Sequence, residues 1–252
     1  MTRETTTITP PRPIAATASR LTGLVRQTRS ELPARTTDIT NLPEALAVYL
    51  SADSARVILA GSAAASVTRI FVGQFGWHDV VAVAGVVAAT GTVEWVIHKF
   101  VLHAPETSWR TRRLDTSTAH RRHHEDPTDL RHVLLIPAYA AGFLPAIGVF
   151  TASWSVPLVL ATGWPFIPTF LTGLAASWWT LAHYEWVHLA VHTRHRFRNR
   201  FYARLARNHR LHHYRNENYW LGVTSNSGDR LLGTLPASKS DVPLSETARS
   251  LA

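Results

Sequence analysis

Ten of the fourteen histidines lie in four short clusters: His98 and His103; His120, His123 and His124; His188 and His192; and His209, His212 and His213. Successive residues of a helix turn by about 100°, so positions i, i+3 and i+4 share one face. The runs His120-Arg121-Arg122-His123-His124 and His209-Arg210-Leu211-His212-His213 are therefore two copies of one three-pronged imidazole donor, and His188 and His192 also share a face. His98 and His103 stand about 140° apart on a regular helix. They reach one site only where the helix ends or bulges between them, and Pro105 favours an end there. One histidine pair arises readily by chance, whereas two such triplets together with two pairs do not. The chain has no cysteine, which leaves imidazole and carboxylate as its strong metal ligands. Ten imidazoles exceed the four ligands of a structural zinc. They suit two first-row ions of five or six coordination, with positions left open for oxygen. Ions held by neutral nitrogens keep their charge, and such centres attack C–H bonds that side chains alone leave untouched.

The stretches that must position these clusters are apolar. Spans at Val57–Trp77, Val80–Ile97, Val133–Trp154 and Phe166–Val187 each approach the roughly 20 residues that a helix needs to cross a bilayer. A break rich in Pro and Gly, Val156-Pro157 to Gly163-Trp164-Pro165, parts the last two. The fold expected is all-α: an integral membrane bundle of four transmembrane helices in two hairpins, with a histidine-rich helical cap formed by 103–132 and 183–236. The alternative, a soluble helical protein with buried core helices, fits poorly with long apolar runs joined by short uncharged loops. The 24 arginines and two lysines test the topology. With both ends and the 99–132 loop cytoplasmic, 25 of the 26 basic side chains lie on that side, as the positive-inside rule requires. The metal clusters then also face the cytoplasm. Arg69 is the exception and must face the bundle interior or snorkel. Residues 42–55 suggest a short amphipathic helix on the membrane surface.

The domain reading has three parts: a disordered basic arm at 1–41, rich in Thr, Arg and Pro; a membrane-embedded unit at 42–236; and a flexible tail at 237–252. The arm overlaps in composition with an organelle transit peptide. The distribution of charge argues against nucleic acid, since it follows topology and forms no reading motif.

Several groups are candidates to orient the ligands, because metal-bound imidazoles donate their second N–H to an acceptor. Glu94 lies one turn before His98 on the same face. Asp129 and Asp229 are candidates by position, and His183 by its alternative pairing with His188. His132 and His195 read as surface residues or neighbours of the site, and His78 as a residue of the outer loop without a metal role. Arg121, Arg122 and Arg210 project away from the ligands, as a solvated face or as a docking face for an acidic redox partner or lipid phosphates.

The order and spacing of the clusters resemble the fatty acid hydroxylase and sterol desaturase superfamily, and within it the fatty acid 2-hydroxylases. His123-His124-Glu125-Asp126-Pro127-Thr128-Asp129 is similar to that branch's His-His-x-x-Pro-x-Asp. Gly222-Val223-Thr224-Ser225, Asp229 and Gly233-Thr234 are similar to the stretch after its last cluster. The resemblance covers about residues 57–236. It implies a dinuclear iron centre held by the ten histidines, with zinc able to substitute, and oxygen-dependent hydroxylation of a lipid. There are three departures: Arg131 comes one residue early, Gly228 stands where the branch has an aromatic residue, and no cytochrome-b5-like domain precedes the spans. Electrons are accordingly expected from a separate reductase, ferredoxin or cytochrome b5-type donor. Two other readings stay open. One is a carotenoid or sterol hydroxylase or desaturase of the same superfamily; the other is a zinc-dependent membrane hydrolase with Glu125 as base.

Overall fold

The computed structural model describes residues 33–108 and 116–251. Most of the expected arm, and the part of the 103–132 loop that carries Arg110, Arg112 and Arg113, lie outside them. Among the described residues the secondary structure is helical, with one isolated bridge, Arg35 to Asp129.

Among the described residues nine α-helices carry the architecture: α1 (Leu42–Ser51), α2 (Asp53–Val72), α3 (Trp77–Ile97), α4 (Thr116–Glu125), α5 (Leu130–Val133), α6 (Pro137–Thr162), α7 (Phe166–His192), α8 (Arg200–Tyr214) and α9 (Ser227–Leu231). The four long helices follow one another in two pairs joined by short turns, but only α6 and α7 pack together as the expected hairpin; α2 and α3 each pack on α7 and scarcely touch one another. Gly73 turns α2 into α3 at φ 66°, and Gly163 caps α6 at φ 70°, positions where a Cβ is disfavoured. The long helices lean on α7, whose Thr169, Thr172, Glu185 and His188 are buried.

Large apolar side chains point outward along the bundle: Phe71 is 86% exposed, Leu160 81%, Trp77 78% and Val149 74%. A surface of this kind is stable in contact with lipid. Hydroxyls on these helices return to carbonyls one turn back, as in Ser62 to Ile58, Ser66 to Ser62 and Thr90 to Val86, so these groups need not meet hydrocarbon unpaired. Among the described residues three stretches are long and apolar enough to cross a membrane: Asp53–Val72, Trp77–Leu102 and Leu130–Thr162. Helix α7 was expected to be a fourth; it is long enough at 27 residues, but its polar groups serve the interior and dilute its apolarity.

Four expectations need correction. Pro157 does not break its helix, which runs on to Thr162; the turn begins at Gly163. The amphipathic helix near residue 42 does not lie free on a surface, because Ala45, Val48 and Tyr49 pack on Val133 and Leu189, and the Tyr49 hydroxyl donates to Ala182 O at 2.9 Å. The last residues of the presumed arm fold onto the cap: Thr36 N donates to Thr128 O at 2.9 Å and Leu130 N to Ala34 O at 3.1 Å. The presumed tail from 237 is likewise fastened, with Val242 and Ala248 buried and Ser245 N donating to Arg215 O at 2.8 Å. Arg69 meets its expectation by facing the interior, 2.7 Å from the Asp79 carboxylate and 2.7 Å from the Thr172 hydroxyl.

Candidate metal centre

All ten clustered histidines converge at the cap end of the bundle, in two groups of five. His98, His103, His120, His124 and His212 form the first; His123, His188, His192, His209 and His213 form the second. Within each group, one ring nitrogen per residue lies within 4.8 Å of all the others. The groups adjoin, with the His124 and His213 rings 4.2 Å apart.

Helix geometry sorts them. Neighbouring residues point about 100° apart, so His123 and His124 face different groups, as do His212 and His213. Each i, i+4 pair (His120 and His124, His188 and His192, His209 and His213) stays together. The triplets are thus divided between the two groups and do not act as single prongs.

The doubtful pair, His98 and His103, is resolved by a π-helical turn at His98–Leu102, closed by His103 N donating to His98 O at 3.0 Å. The wider turn brings residues five apart onto one side, and the two rings lie 4.7 Å from each other. The expected helix end follows directly, at Ala104 and Pro105.

Four rings are fixed by backbone carbonyls. The Nδ1 atoms of His98, His124, His188 and His212 lie 2.6, 2.8, 2.9 and 2.9 Å from the carbonyl oxygens of Leu221, Ala248, Val133 and Tyr219. Donation there leaves Nε2 as the free lone pair, and Nε2 of His124, His188 and His212 is buried with no hydrogen-bond partner, as are both nitrogens of His123. Elsewhere lone pairs crowd: His192 Nε2 is 2.8 Å from His209 Nε2, and His98 Nε2 is 3.1 Å from His120 Nε2. Nitrogens so placed need a proton or a cation between them. Burial, reinforced by neighbouring imidazoles, holds His103, His120, His123, His209, His212 and His213 well below the ordinary histidine range, and burial brings His124 down to about 3. All are neutral near pH 7, the form that binds metal. The donor set fits two nitrogen-ligated ions.

Glu94 and Asp229 act through a loop and not on the rings. Asp229, fully buried, accepts from Leu221 N at 2.9 Å, Gly222 N at 2.8 Å and the Thr234 hydroxyl. Glu94 accepts from Val223 N and from Thr224 N at 3.0 Å. Two carboxylates thus take four consecutive N–H groups and aim the Leu221 carbonyl at His98. Burial pushes the Asp229 carboxyl up despite these donors. Gly228 lies against the backbone of Gly91, where an added Cβ would come within 2.3 Å of Gly91 O; an aromatic residue has no room there.

Other candidates fall elsewhere. Asp129 caps α5, accepting from Arg131 N at 3.0 Å, and its pairing with Arg131 holds its carboxyl down at about 2. His183 is exposed and outside both groups. Glu125 is also exposed and outside them, which leaves the hydrolase reading without its base. His132 lies 3.9 Å from Asp129, His195 packs edge-on against Phe197, and His78 is buried at the far end beside Asp79. Arg121 does not reach solvent: it is buried, donating to Ser250 O at 2.9 Å and pairing with Glu106 at 3.3 Å. The carbonyls of Val133, Tyr219, Leu221 and Ala248 have no side-chain signature, so the sequence did not mark them.

An apolar groove of about 500 Å³ runs from Val81 to His98. Val86, Ala89 and Val93 of α3 form one wall, Phe143, Ile147 and Phe150 of α6 the other, and Tyr184 of α7 lies between. Tyr184 stacks on His188 with ring centres 5.6 Å apart.

Residues 81–234 match the family model described as fatty acid hydroxylase. Comparison with curated proteins gives no match. Among solved structures, a chain described as full-length Scs7p with only the hydroxylase domain visible shares the fold, with a TM-score of 0.56 at 20% identity over 82% of this chain and 70% of that one.

Proposed function

The chain belongs to the fatty acid hydroxylase family, and from that premise we propose that it hydroxylates an acyl C–H bond of a membrane lipid with dioxygen, using two iron ions held by the ten histidines. The observation that carries this reading is the apolar groove that ends at His98, a member of the first histidine group. The groove follows 17 residues of helix, about 25 Å at 1.5 Å per residue, a length that suits an extended acyl chain, and its lining is almost wholly apolar. Likeness in fold to the Scs7p hydroxylase domain, together with the His123 to Asp129 motif, favours the fatty acid 2-hydroxylase branch.

When bound, the iron pair supplies the open positions and redox capacity that dioxygen activation requires. The chain's own groups do the rest. Backbone carbonyls hold four rings in the metal-binding tautomer, and Glu94 and Asp229 keep the Leu221 carbonyl under His98. The groove walls exclude water and present one end of the chain to the site. For each C–H bond converted to C–OH, one dioxygen, two electrons and two protons are taken up and one water is released. The electrons come from a separate redox protein. In this reading α7 is the fourth crossing, residues 33–41 and 237–251 belong with the membrane unit to which they are fastened, and the bias of basic residues favours a cytoplasmic cap.

Expression in a host of defined lipids, followed by mass spectrometry of total lipids, tests this reading. Acyl species one oxygen heavier are expected with the wild type and absent with His123→Ala. Heavier rings and unchanged acyl chains would favour the carotenoid or sterol reading. No heavier species at all would sink both.

A further inference from the structure

Two openings with no lining residue in common reach the histidines. The apolar groove ends at the first group. A second cavity of about 480 Å³, less apolar than the groove, ends at His192 and His213 of the second group, and Arg194, Arg196 and Arg210 stand on its rim. The rim is part of a wider field: from Arg194 to Arg215 the sequence holds eight arginines and no carboxylate. Seven of them, all but Arg215, are exposed, and none of the seven forms an ion pair with another described residue. Unpaired like charges at this density repel one another and raise a positive potential of several kT, which concentrates a partner of opposite charge.

An anionic bilayer and an acidic protein both have that charge, and helix α8 distinguishes them. An amphipathic helix that lies on a membrane turns its apolar face to the lipid. In α8 that face is already used, since Leu205, Ala206, His209, His212 and His213 are buried in the site. What faces outward is Arg200, Arg204 and Arg207, with the exposed rings of Phe201 and Tyr214. Arginine with aromatic rings is the composition of a protein interface.

We infer that this arginine face is the docking surface of an acidic one-electron carrier protein, which approaches the second histidine group through the cavity at His192 and His213 while the lipid chain occupies the groove at His98. The inference rests on the hydroxylase reading and extends it to the partner. Since each hydroxylation takes up two electrons, two reduced carriers dock here per turnover and each leaves oxidised by one electron. The two protons come from solvent, which the cavity admits at its exposed arginines.

The test uses the full chain in phosphatidylcholine nanodiscs, with an acidic plant-type ferredoxin as the probe, titrated at low and at physiological salt. Wild type is compared with Arg196→Glu/Arg200→Glu/Arg204→Glu and with the matching Gln triple. All three side chains are exposed, so the fold and the metal content are retained. Affinity should fall at least tenfold in the Glu triple and less in the Gln triple, and wild-type affinity should weaken with salt. Hydroxylation driven by dithionite should not change. Equal affinity in all three proteins overturns the docking surface. So does unchanged ferredoxin affinity with lost retention on phosphatidylglycerol vesicles, which would assign the face to the membrane. Binding needs no turnover, so a wild type that binds ferredoxin through these arginines yet fails to hydroxylate with dithionite overturns the hydroxylase reading and upholds the surface.

Discussion

Replacing Asp229 by Asn probes the loop that aims His98 without changing the side chain's shape. The carboxylate is fully buried. Its Oδ1 accepts from Leu221 N at 2.9 Å and from the Thr234 hydroxyl, and its Oδ2 from Gly222 N at 2.8 Å. An amide can keep its oxygen toward Leu221 and Thr234, but its NH2 then faces the Gly222 N–H, donor against donor. A buried unsatisfied donor costs about 1–3 kcal/mol, and hydrogen bonds to a charged acceptor are worth about 1.5–3. A loss of roughly 2–4 kcal/mol in stability follows. The Leu221 carbonyl loosens with its N–H, and His98 loses the acceptor 2.6 Å from its Nδ1. Changes to the partners of metal-bound histidines weaken metal binding by about 10- to 100-fold, and here the loss should fall on the first group alone. Iron titration against a competing chelator reads this directly: one of two sites weakens and the other holds, with a lowered melting temperature. Two unaltered sites and an unaltered melting temperature would refute the positioning argument.

Other consequences follow from the same contacts. His103→Ala should lower bound iron from two ions toward one per chain and abolish hydroxylation, as metal analysis of the purified protein would show; retention of two ions would remove His103 from the ligand set. Gly85 lines the groove, and a Cβ added there meets nothing within 4 Å, so a larger side chain can start into the groove without a clash at its base. Gly85→Phe should therefore shorten the acyl chains accepted, read from the product distribution, without changing metal content. Asp79→Asn strips the partner 2.7 Å from buried Arg69; breaking such a pair costs about 3–5 kcal/mol, visible as a lower melting temperature far from the metal site. In the metal-free protein, burial keeps the cap histidines neutral in the fold, whereas the unfolded chain protonates them near pH 6.5. The unfolded state then binds more protons below that pH. Stability should be full above it and fall on acidification by up to about 1.4 kcal/mol per pH unit for each such histidine. Equal melting temperatures at pH 7.5 and 5.5 would contradict this.

The clustered histidines and the long helices were legible in the sequence because both are periodic signals: imidazoles at i, i+3 and i+4, and apolar runs of bilayer length. The division into two groups was not. It depends on how α4, α7 and α8 cross, which one-helix geometry does not specify. The joining of His98 to His103 needed a π turn, a local choice with no residue code beyond the spacing itself. Glu94 was suspected, from its burial in an apolar span, of orienting a ligand imidazole; it clamps backbone N–H groups at Val223 and Thr224 and does not touch a ring. Asp129 and His183 had sequence proximity alone, and proximity in the chain did not become proximity in space. The segments 33–41 and 237–251 looked like loose ends because they have no apolar periodicity. They are held by backbone hydrogen bonds and by Arg121 and Arg249, contacts that composition does not encode.

The central claim, two iron ions on ten histidines inserting oxygen into a chain held at His98, is tested most directly by supplying isotopically heavy dioxygen to the reduced, iron-loaded protein with a saturated acyl lipid. Mass spectrometry of the product should show one heavy oxygen atom in the acyl chain. A product without the label, or an acyl chain returned unchanged while both metal positions are filled with iron, would contradict the account.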